Sequence, residues 1–181
     1  MTTAIQEFQG TYEADTVHSV FEFSVLHNEI SAYKGTLSEV SAKLGEEEGE
    51  LRLEGAAKVE SISIQEPEQF REHVLGEEFF DAANHPEVTF SSTDVELSGD
   101  GRARVPGELT IRGITREVIA AGTYEAPREG LDGKRAAFEL ETSFDRREFG
   151  FDWQMELPSG GNALDWQVGL KVHLELLQPE G

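Results

Sequence analysis

The chain has 181 residues, with 36 acidic and 15 basic side chains and a net charge of −21. A surface this acidic repels phosphate backbones and anionic membranes, and the sequence contains no basic run, so nucleic-acid binding is not expected. There are no cysteines, which excludes disulfides, thiolate nucleophiles and cysteine-ligated metals.

Residues 1–11 are interpreted as a flexible N-terminal tail, and residues 12–178 as a single domain. The first ten residues lack the charged and apolar regions of a secretory signal. No stretch approaches the ~20 apolar residues that a membrane span requires. We therefore expect a cytoplasmic protein with no stable membrane insertion.

The stretch from Asp15 to His27, DTVHSVFEFSVLH, predicts the first strand. Its side chains alternate, with Phe21, Phe23 and Val25 on one face and polar residues mostly on the other, as in a strand with one buried face. His18 and Ser19 are adjacent, so on a strand they face opposite sides and cannot form a base–nucleophile pair.

The chain then turns between Asn28 and Gly35 and is predicted to form strands over residues 36–44 and 51–59, joined by an acidic hairpin tip. Residues 67–81 break the β pattern. Phe70 and Val74 lie four residues apart among charged residues, which predicts a short helical insertion that begins near Pro67 and covers one mouth of the sheet.

Alternating strand patterns resume over residues 88–92, 95–98, 105–111, 117–124, 136–144 and 166–176, separated by glycine-rich turns. The fold class is therefore predicted to be all-β: a single antiparallel barrel of about eight strands, lipocalin-like, which is wide enough to hold one small ligand.

The sequence offers little support for catalysis or metal binding. The five histidines have none of the spacings of a zinc site, and by strand parity His18 and His173 face outward. Phosphate-binding loops and serine-nucleophile motifs are absent. We predict no catalytic residues, no metal and no cofactor other than a bound lipid.

The inward-facing positions predict an apolar cavity with a polar rim. Arg146 follows the inward face of the strand over residues 136–144, and His27 ends the inward face of the first strand, so both are candidates to meet a ligand head group. Alternatively, both pair with nearby carboxylates. The residues predicted to form the cavity wall are Phe21, Phe23, Val25, Leu53, Phe70, Val74, Phe79, Phe80, Phe90, Ile111, Phe138, Leu140, Phe144, Phe149, Trp153, Trp166, Val168 and Leu170.

Four segments in order resemble the YceI-like, polyisoprenoid-binding family. They are DTVHSVFEFSVLH (15–27), REHVLGEEFFDAANHPEVTFSS (71–92), GELTIRGITREV (107–118) and FDRREFGFDW (144–153). The resemblance implies a lipocalin-like barrel that encloses a long apolar ligand, such as a polyprenyl chain, an isoprenoid quinone or a fatty amide. The family motif positions that it carries over are His18, Phe21, Phe23, His27, His73, Phe79, Phe80, Asp81, Pro86, Phe90, Gly113, Thr115, Arg116, Arg146, Phe149 and Gly150.

The chain departs from the family pattern at Phe70-Arg71, where an Arg-Asp pair is usual, and at Arg112, where histidine is common. Arg112 is expected to face outward at a position that tolerates substitution. A binding and carrying function follows from the resemblance, and a homodimer is left open. The alternatives are a lipid-modifying isomerase or hydrolase that uses His27 and Arg146, and an interaction module that uses the acidic exterior.

Overall fold

The computed structural model of the chain describes residues 7–180. It contains eleven strands, one α-helix and two 3-10 turns, the latter at Val59–Ser61 and Arg146–Phe149. The helix is α1 (Glu68–Leu75). The strands are β1 (Tyr12–Ala14), β2 (Val20–His27), β3 (Ser31–Leu37), β4 (Val40–Glu47), β5 (Glu50–Lys58), β6 (Glu87–Ser92), β7 (Glu96–Leu97), β8 (Arg102–Ile111), β9 (Ile114–Glu129), β10 (Gly133–Asp145) and β11 (Leu164–Pro179).

The strands form a closed antiparallel barrel. β1 and β2 lie end to end along β11, and β3 and β4 lie end to end beside them. The remaining strands follow in the order β5, β6, β8, β9, β10 and β11, with β7 attached to β8. Because β1 and β2 share one position and β3 and β4 another, the barrel has eight strand positions around one interior. The predicted all-β barrel of about eight strands is confirmed.

The first predicted strand is too long at its beginning. Residues 15–19 form a turn between β1 and β2, because the Asp15 carboxylate accepts a hydrogen bond from the Val17 N–H at 2.9 Å and closes a local loop. The expected turn over residues 28–35 is also too long, since β3 begins at Ser31. Every residue of β3 pairs with β2.

The helical insertion is confirmed but shorter than predicted. α1 ends at Leu75, and the chain then folds back in turns, with the Phe80 and Ala82 N–H groups bonded to the carbonyls of Val74 and Leu75. Within residues 7–180, no helix has the length and apolar character needed to cross a membrane. The cytoplasmic location stays a prediction.

One end of the barrel, which we call the packed end, is filled by side chains. Phe8 is 1% exposed and lies 5.8, 6.1 and 5.9 Å from the rings of Tyr12, Tyr124 and Phe138. The interpretation of residues 1–11 as a flexible tail is therefore wrong at Phe8, whose ring is buried in the core. Residues 1–6 of that interpretation lie outside the described residues.

Candidate functional site

The opposite end of the barrel, which we call the hollow end, contains a cavity of about 380 Å³ beneath α1. Its lining is aromatic and aliphatic apart from a few polar side chains. The lining residues are Phe21, Phe23, Val25, His27, Tyr33, Ile64, Phe70, His73, Val74, Phe79, Phe80, Val88, Ile111, Phe144, Arg146, Phe151, Trp153, Ala163, Leu164, Val168 and Leu170.

The walls of the cavity come from inward-facing positions of β2, β8, β10 and β11. Phe21 and Phe23 point inward and yet are only half-buried, because part of each ring borders the cavity. The Phe23 ring covers Gly35 on the neighbouring strand, where a Cβ would lie 2.3 Å from its Cζ atom. Glycine at that position lets the ring lie flat against the wall.

The roof of the cavity is an aromatic cluster supplied by α1, the turns after it and the segment after β10. Phe80 lies 6.3 Å from Phe23 and 5.2 Å from Phe151, and Phe79 lies 5.5 Å from Trp153 (ring centroids). The two contacts of Phe80 are edge-to-face and that of Phe79 with Trp153 is tilted, and such contacts favour defined orientations of the rings. The roof is therefore an ordered surface and not a loose loop.

His73 on α1 belongs to the same roof. Its ring packs edge-on against Phe79 at 5.0 Å and Trp153 at 5.3 Å, while its Nε2 atom lies 2.8 Å from a Glu78 carboxylate oxygen. The histidine thus joins α1 to the turn that follows and to the segment after β10.

Arg146 is placed differently from its prediction as a head-group cation at the rim. It is 3% exposed and its guanidinium donates four hydrogen bonds to backbone carbonyls, those of Phe151, Trp153, Leu164 and Asp165. Burial lowers the pKa of this guanidinium from its ordinary value. The predicted head-group role of Arg146 is therefore corrected: its N–H groups, which an anionic ligand would need, are used by the four backbone carbonyls. Its role is to hold the segments that carry those carbonyls together.

Two further arginines hold the hollow end in the same way. Arg71 donates to the carbonyls of Glu60, Ile62 and Ile64 at 2.9–3.3 Å. Arg112 donates to the Gly150 carbonyl at 2.6 Å and to the Glu77 carbonyl at 2.5 Å. Arg112 is therefore not a freely tolerant outward position, since it ties the β8–β9 turn to two other segments.

His27 lies where it was predicted to lie, at the end of β2, exposed and bordering the cavity. The guanidinium hydrogen bonds of Arg146 go to backbone carbonyls rather than to this imidazole. The paired roles of base and anion stabiliser, on which the enzyme alternative rests, therefore have no support in the contacts of Arg146.

The predicted wall residues divide into those that line the cavity and those that do not. The first group is Phe21, Phe23, Val25, Phe70, Val74, Phe79, Phe80, Ile111, Phe144, Trp153, Val168 and Leu170. Leu53, Phe90 and Leu140 instead line a smaller apolar pocket of about 80 Å³ deeper in the barrel, which shares Phe21, Val88 and Leu170 with the cavity.

Three predicted wall residues lie elsewhere. Phe138 is part of the packed end, against Phe8. Phe149 is fully buried beneath the Phe144 ring, with the centroids 4.7 Å apart, because the 3-10 turn at 146–149 breaks the strand alternation. Trp166 stacks under the guanidinium groups of Arg146 and Arg147, 4.2 and 4.5 Å from its ring.

The same break explains one lining residue that the sequence prediction omitted, Phe151. Phe151 follows Gly150, whose φ of 77° redirects the chain, so that Phe151 and Trp153 face the cavity while Phe149 does not. The omission of Tyr33 follows from the expected turn over 28–35, whereas the residue lies on β3 opposite Val25. The other omitted residues are Ile64, His73, Val88, Ala163 and Leu164.

Asp15, His18 and Glu175 bring three potential metal ligands together at the packed end. Arg135 already occupies this cluster, with its Nη1 atom 2.8 Å from an Asp15 oxygen and 2.5 Å from a Glu175 oxygen. The hydrogen bond from Arg135 holds the pKa of Asp15 well below its usual range, and the Asp15 hydrogen bond raises the pKa of His18. The cluster is an ion-pair network that includes its own cation.

Comparison with known proteins agrees with this architecture. The pattern of the YceI-like domain matches residues 12–176. The chain belongs to the YceI-like family. Among its relatives are proteins named UPF0312 from Pseudomonas fluorescens, 28% identical over 85% of this chain and 81% of the relative, and from Shewanella denitrificans, 26% identical over 94% and 92%.

Solved structures of similar shape share the fold of this YceI-like chain. Burkholderia cenocepacia BcnA matches with a TM-score of 0.72 at 20% identity, covering 90% of this chain and 98% of BcnA. A Saccharophagus degradans domain, described as polyisoprenoid-binding and implicated in plant cell wall breakdown, matches with a TM-score of 0.67 at 11% identity, covering 95% and 100%. At these identities the likeness shows the fold alone.

Proposed function

We propose that this protein binds a long apolar lipid of the isoprenoid type inside its barrel, and carries or sequesters it. The observation that carries the proposal is the 380 Å³ cavity with its aromatic and aliphatic lining. A concave apolar site with a small number of polar groups is the usual form of a site for an apolar small molecule.

The physical chemistry of the lining favours a hydrocarbon chain. Each buried CH₂ group contributes roughly 0.8 kcal/mol gross, so one five-carbon isoprene unit contributes about 4 kcal/mol before the entropic losses of association. A few units in contact with Phe21, Phe23 and Phe80 therefore suffice for tight binding. The proposal needs no metal or cofactor.

One structural neighbour supports the same ligand class. The Saccharophagus degradans domain, which has a similar fold, is described as polyisoprenoid-binding. We propose a polyprenyl chain, an isoprenoid quinone or a fatty amide as the cargo. Of the two predicted head-group residues, only His27 is exposed at the cavity, so the head group would meet His27 and not Arg146.

Tryptophan fluorescence tests the proposal, because the chain has only two tryptophans. Trp153 lines the cavity, whereas Trp166 is not among the lining residues and stacks under Arg146 and Arg147. Titration with farnesol should change the fluorescence of the protein and of Trp166→Phe, and should leave that of Trp153→Phe nearly unchanged.

Native mass spectrometry and lipid extraction of the purified protein give a second measurement. A co-purified prenyl lipid or long-chain amide is the expected result. Only the mass of the unliganded chain, together with no uptake of added prenyl alcohols, would argue against lipid binding.

A further inference from the structure

The barrel wall is incomplete at one place in its hollow half. The β9–β10 ladder runs as far as the pair Glu141 and Ala121 and then stops. β9 nevertheless continues back to Ile114, and β10 continues on to Asp145. Both stretches stay fully paired on their other edges, with β8 and with β11. We call the gap between residues 115–120 and 142–145 the side window.

The ends of the side window are fixed by defined contacts. At its lower end the strands approach closely at Gly122, where a Cβ would lie 1.9 Å from the Glu139 carbonyl oxygen, so a side chain cannot be accommodated. At its upper end the Arg112 hydrogen bond to the Gly150 carbonyl ties the β8–β9 turn to the segment after β10. The window is therefore bounded below by paired backbone and above by a hydrogen bond from the Arg112 side chain.

Side-chain burial shows that the window reaches the interior. Val118, Ala120 and Thr142 occupy inward positions of the two strands and are only half-buried. Inward residues outside the window are Tyr124 on β9, 8% exposed, and Phe138 and Leu140 on β10, 2% and 3% exposed. Within the window Phe144 is 9% exposed, so the opening lies at Val118, Ala120 and Thr142.

A groove of about 1170 Å³ covers the window on the outside of the barrel. Val118, Thr142 and Leu170 line both this groove and the deeper apolar pocket. Phe144 and Leu170 also line the main cavity. A single layer of side chains thus separates the outer groove from the apolar interior.

The volume of the cavity suggests a function for the side window. At 380 Å³ the cavity is near the lower limit of about 300–1000 Å³ for sites that enclose drug-sized ligands. A long polyprenyl chain exceeds that volume, so part of it must leave the barrel. The groove has the room, and its apolar floor continues the surface on which the enclosed part would lie.

The charges of the groove restrict what the emerging end can carry. Its charged lining residues are four glutamates and two lysines: Glu22, Glu117, Glu141, Glu148, Lys34 and Lys171. Both lysines are already paired with glutamates, Lys34 with Glu22 and Lys171 with Glu139 and Glu141. A phosphate or diphosphate end would meet a net negative field here.

We propose that the side window and its groove form a second part of the ligand site, which holds the projecting end of a chain longer than the cavity, and that this end is uncharged or cationic. The inference rests on the proposed lipid binding, and it concerns the route and the end group of the chain. It distinguishes short ligands, which the cavity encloses, from long ones, which need the window.

Because the chain has no cysteine, the window can be closed by a designed cross-link. Ile119 and Ser143 are both exposed and lie on opposite sides of the window. We would cross-link Ile119→Cys/Ser143→Cys with a short bis-maleimide. The matched control is Glu125→Cys/Ala137→Cys, a directly paired position of the same two strands outside the window.

Farnesol serves as the short probe and solanesol as the long one. Closing the window should weaken solanesol binding by about tenfold or more, a difference of about 1.4 kcal/mol, and should change farnesol binding by less than about twofold. The control cross-link should change neither. Equal solanesol affinity with the window open and closed would overturn the inference, whereas failure of both probes to bind the uncross-linked protein would instead count against lipid binding itself.

Two further arms complete the test. If the cross-linked protein does not fold, Ser143→Cys labelled with a single bulky maleimide should obstruct the window and give the same selective loss for solanesol. At low salt, solanesyl diphosphate should bind several-fold more weakly than solanesol, and added salt should reduce the difference. Equal or tighter binding of the diphosphate would show that the end-group assignment is wrong.

Discussion

The packed end and the hollow end of the barrel are built from the same kind of inward-facing residues, yet they differ in what fills them. At the packed end Phe8 enters from the N-terminal segment and completes a cluster with Tyr12, Tyr124 and Phe138. At the hollow end Phe21 and Phe23 face a cavity under the roof. Strand alternation determines that a side chain points into the barrel. Whether it lies in a packed core or beside a cavity depends on side chains from other parts of the chain.

The largest expected effect contrasts one phenylalanine from each end. Phe138→Ala should lower the free energy of unfolding by about 3–5 kcal/mol, because it opens a void in a packed core. Phe23→Ala should cost about half as much, since its ring already borders empty space. Urea unfolding of the two variants measures the difference, and equal losses would mean that the hollow end is as tightly packed as the other.

The next largest effect concerns Phe8, the residue that distinguishes the two ends. Phe8→Ala should lower the stability by about 3 kcal/mol, because three aromatic neighbours lose their common partner. Phe8→Leu, which refills most of the volume, should recover more than half of the loss. A stability change below about 0.5 kcal/mol for the alanine variant, the usual range for surface substitutions, would mean that Phe8 belongs to an unpacked tail.

A smaller effect is expected at the roof of the hollow end. Arg146→Met should cost about 2–3 kcal/mol, because four backbone carbonyls lose a charged donor and the apolar replacement cannot satisfy them. Farnesol should also dissociate faster from this variant, since the segments that cover the cavity are less firmly held. Unchanged stability with weaker binding of an anionic lipid would instead indicate a head-group role.

The smallest effect is the acid dependence of stability. The hydrogen bond from the Arg147 side chain lowers the pKa of Asp145 to about 2, below its ordinary value of about 3.9. A lowered folded-state pKa stabilises the protein above about pH 4, and this contribution is lost as the pH falls toward 2. Asp145→Asn should therefore show a shallower loss of urea midpoint between pH 4 and 2.5. A variant that follows the parent curve over this range would contradict the assignment.

The sequence predicted the barrel, the short helix and the inward parity of residues such as Phe23, Val168 and Leu170, because strand periodicity is a local property. It could not separate Phe138 from Phe23, since both have the same parity and the distinction depends on Phe8, 130 positions away from the former in the chain.

Arg146 shows a second limit of the sequence. Parity placed it on the inner face, but its hydrogen-bond acceptors come from the segment between β10 and β11 and from the start of β11, whose path is not periodic. Likewise, because of the 3-10 turn at 146–149, Phe149 is buried and Phe151 lines the cavity, which strand alternation does not predict. The point at which the β9–β10 ladder ends also cannot be predicted, since the alternation of each strand continues past it.

Arg71, Arg112 and Arg146 donate to neutral carbonyls in a chain where acidic groups outnumber basic ones by more than two to one. Exposed ion pairs, such as Lys58 with Glu39 on the outer surface, weaken as ionic strength rises, whereas the contacts of the buried Arg146 and the half-buried Arg71 and Arg112 with neutral carbonyls are screened less. The dimensions of the cavity should therefore change little between dilute buffer and concentrated salt, even though the electrostatics of the exterior change greatly.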